Sequence, residues 1–277
     1  AGGDTASALA AGNPVVVKAH SGHPRLSART AELVAAALEG AGTPAGSLAL
    51  VEGREAGNAL VQHPLIRAAG FTGSVSGGRA LFDLASGRAD PIPFYGELGS
   101  INPVVITTAA VSARGETLAQ SLVGSFTLGV GQFCTKPGVV FVPAGAGFED
   151  LVAAHVPTAS GGPLLTDRIT DAFPAGLAHL EGDPSVEVVA EGVEVDGVRP
   201  VALLTDARAV ADRPEVLLEE CFGPVTLLVR SVTAAQRAAA LGLQAYNILE
   251  GFEGDVNALG QRGHVGGWRH QGLPWRQ

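Results

Sequence analysis

The chain of 277 residues contains no methionine at all. Translation begins on methionine, so the sequence is expected to have lost an N-terminal segment or to be a piece of a longer chain. The abundance of Ala, Gly, Val and Arg fits a GC-rich genome, which lowers methionine use without removing the initiator. Cysteine is nearly as scarce. Two cysteines are too few for a disulfide framework. Basic charge is also short, and a formal net charge of −9 argues against a nucleic-acid partner. No apolar run reaches the length of a transmembrane helix, and the Ala-Gly-Gly-Asp start lacks the basic and apolar regions of a signal peptide. Internal repeats and low-complexity linkers are missing too. What is present is 46% hydrophobic and 16% charged residues, the composition of a folded α/β chain large enough to bury a sizeable core.

Hydrophobic patterning divides the chain into two α/β modules with mainly parallel sheets, because strand and helix signals alternate. In the first, residues 1–98, strands are predicted at Val15–Ala19 and Ser47–Val51. Helical spacing covers Leu26–Glu39 with Ser27 as its cap, and a turn follows from Gly40 to Gly46. A short helix around His63–Ile66 feeds a third strand at Ala68–Thr72, and a further helix runs from Gly77 to Gly87. In the second, residues 99–248, strands are predicted at Asn102–Ile106, Val139–Val142, Val186–Ala190, Pro200–Leu204 and Val225–Val229. Its helices are Leu118–Val130 and stretches around 148–155, 167–180 and 233–242. Residues 249–277 form an atypical tail with neither periodicity and with both tryptophans of the chain.

Two residue types point to chemistry. Cys134, in Gln-Phe-Cys-Thr-Lys-Pro-Gly, falls in a loop between a helical run and an apolar strand, where a thiol can face a cleft. Glu97, in Phe-Tyr-Gly-Glu-Leu-Gly-Ser-Ile-Asn-Pro, supplies a carboxylate. A thiol nucleophile and a carboxylate base are the two groups needed for covalent oxidation of an aldehyde. Most cysteines are inert, buried small hydrophobes, so the loop setting matters. Lys136 reads as a solvated loop lysine rather than an activator of the thiol. Cys221 is expected to be dispensable. A thiol hydrolase is the weaker reading, since no histidine accompanies Cys134 in a known local signature.

Together with Pro-Val-Val-Val-Lys at 14–18, Phe-Thr-Gly-Ser at 71–74 and Glu-Glu-Cys-Phe-Gly-Pro-Val at 219–225, these motifs resemble the aldehyde dehydrogenase superfamily, in its order and over residues 1–248. The resemblance is nearest to the bacterial ketoglutarate-semialdehyde and other NADP-tolerant members. It implies that Cys134 attacks the aldehyde to give a thiohemiacetal and then a thioester, and that Glu97 activates the water that hydrolyses it. It also implies a nucleotide held by Lys18 at the adenosine ribose, by Gly73 and Ser74 at the diphosphate, and by Glu220 and Phe222 at the nicotinamide ribose and ring. Gly-Ser-Val-Ser-Gly-Gly is not the Gly-x-Gly-x-x-Gly fingerprint, and as a strand-to-helix turn it is a weak signal alone.

No carboxylate follows Lys18 in Lys-Ala-His-Ser-Gly-His, so a 2′-phosphate is tolerated, with Ser21 or Arg54 as contacts. NADP or NAD is therefore the implied cofactor, and no metal is called for. A small aldehyde is the expected partner, with no nucleic acid and no membrane. A nucleophilic thiol must stay reduced, which points to the cytoplasm. The resemblance further implies a homo-oligomer, a segment ahead of Ala1 that completes the cofactor domain, and an oxyanion-hole asparagine in that segment which Asn13 does not match. On this reading the isolated chain is a poor catalyst, and the alternative is an inactive remnant that at most binds nucleotide.

Overall fold

The computed structural model describes residues 2–242. The chain divides into two compact units, Ala1–Ser100 and Ile101–Gln277. The predicted tail at 249–277 lies outside the described residues.

The first unit runs α1 (Gly3–Ala10), β1 (Val15–Lys18), α2 (Pro24–Gly40), β2 (Leu48–Val51), α3 (Arg54–Gln62), β3 (Ala69–Gly73), α4 (Val75–Ser86) and β4 (Phe94–Leu98). Its strands form two parallel pairs, β1 with β2 and β3 with β4. Its core is small, with Val61, Ala85 and Ile92 buried among Ala69, Leu81 and Phe94.

Several local expectations need correction here. α2 starts at Pro24, not at Ser27, because proline at the first helical position sacrifices only an N–H that has no partner inside the helix. Ser27 instead hydrogen-bonds its Oγ to Nδ1 of His23, one turn back. His63–Ile66 is a turn, with the Ile66 amide donating to the His63 carbonyl. The helix of this region comes earlier, at Arg54–Gln62, since Pro64 bars His63 from continuing it. α4 begins at Val75 rather than Gly77, because Ser74 caps it by accepting from the Gly77 amide at 3.3 Å.

The second unit begins with β5 (Val104–Val105), much shorter than the predicted 102–106 because Pro103 has no amide to donate. α5 (Thr108–Thr127) follows, with a non-helical residue at Arg114. It starts ten residues before Leu118, since the Thr107 hydroxyl accepts from the Ala110 amide and caps it. A short 3-10 turn, Leu128–Gly131, leads toward β6 (Val139–Pro143). Then come α6 (Phe148–His155), α7 (Asp167–Glu181), β7 (Glu187–Glu191), β8 (Val201–Asp206), α8 (Ala207–Asp212), α9 (Pro214–Leu217), β9 (Val225–Ser231) and α10 (Ala234–Ala240).

The sheet order is β5-β6-β9-β8-β7, parallel except for β7 against β8. Successive side chains in a strand alternate between faces, so the central strands feed two cores. On one face Phe141, Leu203, Leu227 and Val229 pack with Phe173, Leu177, Val210 and Leu217 of the helices α7 to α9. On the other, Val140, Val142, Leu204 and Leu228 meet Leu122, Phe126, Phe148 and Val152 of α5 and α6. Burial on both faces explains why β6, β8 and β9 read as continuous apolar runs.

Candidate active site

The strand order dictates which loops meet in the second unit. β5, β6 and β9 are parallel neighbours, so the segments that lead into them enter the sheet side by side. Those segments carry Asn102, Cys134 and the pair Glu220 and Phe222. Cys134 is exposed, and Cys221 is buried. Burial raises the Cys221 thiol to about 11, with the Glu219 and Glu220 carboxylates adding to the rise and the Lys136 ammonium opposing it. Of the two thiols, Cys134 is the one with access to a ligand in solution.

The Cys134 loop is held from both sides. From the β5 side, the Asn102 amide Nδ2 donates to the Cys134 carbonyl at 2.6 Å and to the Lys136 carbonyl at 2.9 Å. Asn102 does this from a left-handed backbone, φ 43°, which asparagine tolerates better than most residues. From the β9 side, the Thr226 hydroxyl donates to the Pro137 carbonyl at 2.9 Å. Gly131, at φ 70°, packs directly on the Gly223 carbonyl, leaving no room for a Cβ. The 219–224 loop is also backed by Phe173, whose ring would strike a Cβ on Gly223.

Lys136 is not a solvated loop lysine. It is 5% exposed, and its Nζ donates to the carbonyls of Cys221 at 3.0 Å and Val225 at 2.8 Å. Burial lowers the ammonium to about 8, against the pull of Cys221 and Glu220. The expectation failed because a lysine's partners here are backbone oxygens far along the chain, which carry no side-chain signature.

In the first unit the named residues gather at the carboxyl ends of parallel strands, where open α/β sheets bind ligands. Gly73 closes β3, and Ser74 caps α4. Glu97 lies opposite Thr72 in the β3–β4 register, one step from the Gly73–Leu98 pair, and is exposed. Lys18 closes β1, and its stem covers Gly57 of α3. Ser21 lies in the exposed turn between Lys18 and α2. There His20 and His23 stack with centroids 4.6 Å apart. The His20 imidazolium is disfavoured by burial first, then by His23 and Lys18. Arg54 opens α3.

Two features escaped the sequence reading. Asn102 had only its place beside a proline to mark it. Glu52 follows β2 directly, next to the strand that ends in Lys18. An acidic residue at the end of a second strand accepts from ribose hydroxyls in dinucleotide folds, and the parallel pairing of β1 with β2 is needed to see it there.

The donor set fits a dinucleotide. A lysine, two serines and the amides at the start of α4, a helix of 12 residues, all offer hydrogen to anionic oxygen. Among the described residues no helix is long and apolar enough to cross a membrane.

Comparison with known proteins places the chain in a family. Residues 1–167 match the sequence profile of the aldehyde dehydrogenase family. The chain is 42% identical over 266 residues to alpha-ketoglutaric semialdehyde dehydrogenase 2 of Azospirillum brasilense, covering 93% of this chain and 49% of that protein. It is 41% identical over 239 residues to alpha-ketoglutaric semialdehyde dehydrogenase of Acinetobacter baylyi, covering 83% and 45%. The chain thus spans about half the length of the curated relatives it matches. Among solved structures, a NAD-dependent benzaldehyde dehydrogenase from Corynebacterium glutamicum superposes with TM-score 0.69 at 26% identity, over 85% of this chain and 51% of that one. Proline utilization A of Bradyrhizobium japonicum gives TM-score 0.72 at 26% identity, over 89% and 26%.

Proposed function

The chain belongs to the aldehyde dehydrogenase family, and from that premise we propose that the protein oxidises an aldehyde bearing a distal carboxylate to the corresponding diacid, with NAD or NADP as acceptor. The observation that carries this reading is the exposed Cys134 thiol on a loop held by Asn102 and packed against the segment with Glu220 and Phe222. The distal carboxylate is supported by the two relatives at 42% and 41% identity, both of which are named for alpha-ketoglutaric semialdehyde.

Cys134 is the nucleophile. Its thiolate sulfur forms a bond to the aldehyde carbon, and the carbonyl π pair moves to oxygen. When bound, the oxidised nicotinamide supplies the acceptor for the hydride that leaves this carbon. Loss of hydride with return of the oxygen pair leaves a thioester on Cys134. Glu97 is the general base: its carboxylate takes a proton from water as the water oxygen adds to the thioester carbon. The carbon–sulfur bond then breaks, the thiolate is regenerated and the carboxylic acid departs. Lys18, Ser21, Gly73 and Ser74 would hold the adenosine and diphosphate parts of the nucleotide, and Glu220 and Phe222 its nicotinamide ribose and ring. Glu52 is acidic where a 2′-phosphate would be repelled, whereas no acid follows Lys18, so titration with both nucleotides decides the preference.

The test is a set of three variants in the complete gene product. Cys134→Ala is expected to bind nucleotide as the parent does and to reduce none of it, while Cys221→Ser keeps turnover. Glu97→Gln is expected to accumulate an acyl adduct on Cys134, read by mass spectrometry of peptides after mixing with alpha-ketoglutaric semialdehyde and nucleotide. Turnover by Cys134→Ala removes the nucleophile assignment. A parent that binds nucleotide but oxidises no aldehyde supports the remnant reading instead.

A further inference from the structure

Lysine is among the residues least often buried, because removing an ammonium from water costs several kcal/mol unless it is well paired. Lys136 is buried all the same, and a methionine of similar length would fill that space without the charge. Its two acceptors, the Cys221 and Val225 carbonyls, stand on either side of Phe222, Gly223 and Pro224. One ammonium therefore fastens both ends of the turn that carries Phe222, with Glu220 adjoining it. The same lysine sits two residues after Cys134, and its own carbonyl is pinned by Asn102 at 2.9 Å. Within the same turn, Gly223 meets Gly131 with no room for a Cβ on the latter. The two loops are joined at two points and have no slack.

We propose that Lys136 is a positioning residue that couples the Cys134 loop to the Glu220–Phe222 loop, so that nucleotide seated against the second loop alters the reactivity of the thiol on the first. Rigid loops with a shared anchor transmit displacement, because neither can shift without breaking charge-assisted bonds to the other. This rests on the roles proposed above for Cys134, Glu220 and Phe222. It assigns Lys136 no contact with substrate.

The test measures the alkylation rate of Cys134 by iodoacetamide, with and without saturating NADP+, in the complete gene product. The parent is expected to show a clear change in rate on nucleotide binding. Lys136→Met is expected to lose that change and to bind NADP+ about tenfold more weakly, the scale of one lost charge-assisted bond. Lys136→Arg, which keeps charge and donors, should restore part of both. Thr226→Val removes a neighbouring buried bond, to Pro137, without touching the lysine. It should lower thermal stability and keep the nucleotide effect. If Lys136→Met retains the parent's rate change, or Thr226→Val loses it equally, the coupling role is wrong. Should Lys136→Met fail to fold, hydrogen exchange on the parent decides. NADP+ is expected to protect amides in 132–136 along with those in 219–223, and protection of 219–223 alone overturns the proposal. A parent that binds neither NAD+ nor NADP+ defeats the proposed function itself and takes this inference with it.

Discussion

Removing the Asn102 side chain tests whether the Cys134 loop is held from the β5 side as the geometry implies. Its amide gives two hydrogen bonds, 2.6 Å to the Cys134 carbonyl and 2.9 Å to that of Lys136. Each such bond nets about 0.5–1.5 kcal/mol, so losing both costs roughly 1–3 kcal/mol. Alanine adds a second penalty, about 1–2 kcal/mol, because it must adopt the left-handed backbone that asparagine occupies at φ 43°. Glycine escapes that second term, although a more flexible unfolded chain recovers roughly 0.5–1 kcal/mol of the difference. Asn102→Ala is therefore expected to be the less stable of the two in urea titrations. Asn102→Asp should be worse than either, since a carboxylate can only accept and would face two carbonyl oxygens. In turnover, the freed loop lets the thiol wander, and a displacement of about 1 Å is worth on the order of a hundredfold in rate. The assay is nucleotide reduction by Asn102→Gly, compared with its unfolding midpoint. Turnover within about twofold of the parent, on the scale where tenfold is about 1.4 kcal/mol, would refute the idea that these two bonds position the thiol.

Gly131→Ala puts a Cβ into the Gly223 carbonyl and asks alanine to hold φ 70°, so a loss above about 3 kcal/mol is expected by chemical denaturation. A loss below about 1 kcal/mol would mean the two loops are not in contact there. Asp183→Asn breaks a carboxylate cluster in which Asp183 accepts from Arg213 Nε at 2.7 Å and from the Ser185 hydroxyl at 2.6 Å. Because Arg213 is partly exposed, the expected cost at neutral pH is discounted to about 1–3 kcal/mol. Hydrogen bonds from Arg213 hold the Asp183 carboxyl well below the usual carboxylate range, against burial and with help from Ser185. The stability it contributes is therefore complete above about pH 4 and is lost as pH falls further, toward the depressed native value. Urea midpoints between about pH 7 and pH 3 should fall less steeply for Asp183→Asn than for the parent; equal slopes would remove Asp183 from the acid response.

Much of the second unit could be read from its residues because its physics is local and periodic. β6 is Val-Val-Phe-Val-Pro with every residue buried, and a run of that kind between turn signals has few other uses. In the first unit the strand-to-helix change at Gly73–Ser74 was legible, but the Ser74 cap was not, so α4 starts two residues earlier than expected. β4 was not, because Phe94–Leu98 alternates poorly, contains a glycine and, among the described residues, pairs only with β3. Lys136 and Asn102 were beyond reach on different grounds. Their partners are main-chain oxygens on segments 85 and 32 residues away, and every residue supplies such an oxygen. A side-chain pattern can announce a strand, but only the strand order says which carbonyl will arrive beside which ammonium.

The position of β9 has a consequence for how the protein is made. Among the described residues it is the last strand of its sheet, yet it lies between β6 and β8. On the ribosome β6 emerges some eighty residues before its central neighbour, an interval on the order of 4–16 s at about 5–20 residues per second. During that interval β6 waits with an apolar edge uncovered, β8 joins it in the same condition once Asp206 has emerged, and the Val225 carbonyl that receives Lys136 does not yet exist. The second unit is thus an aggregation hazard until β9 is delivered, and its reliance on chaperones should rise steeply in nascent chains arrested before Val225.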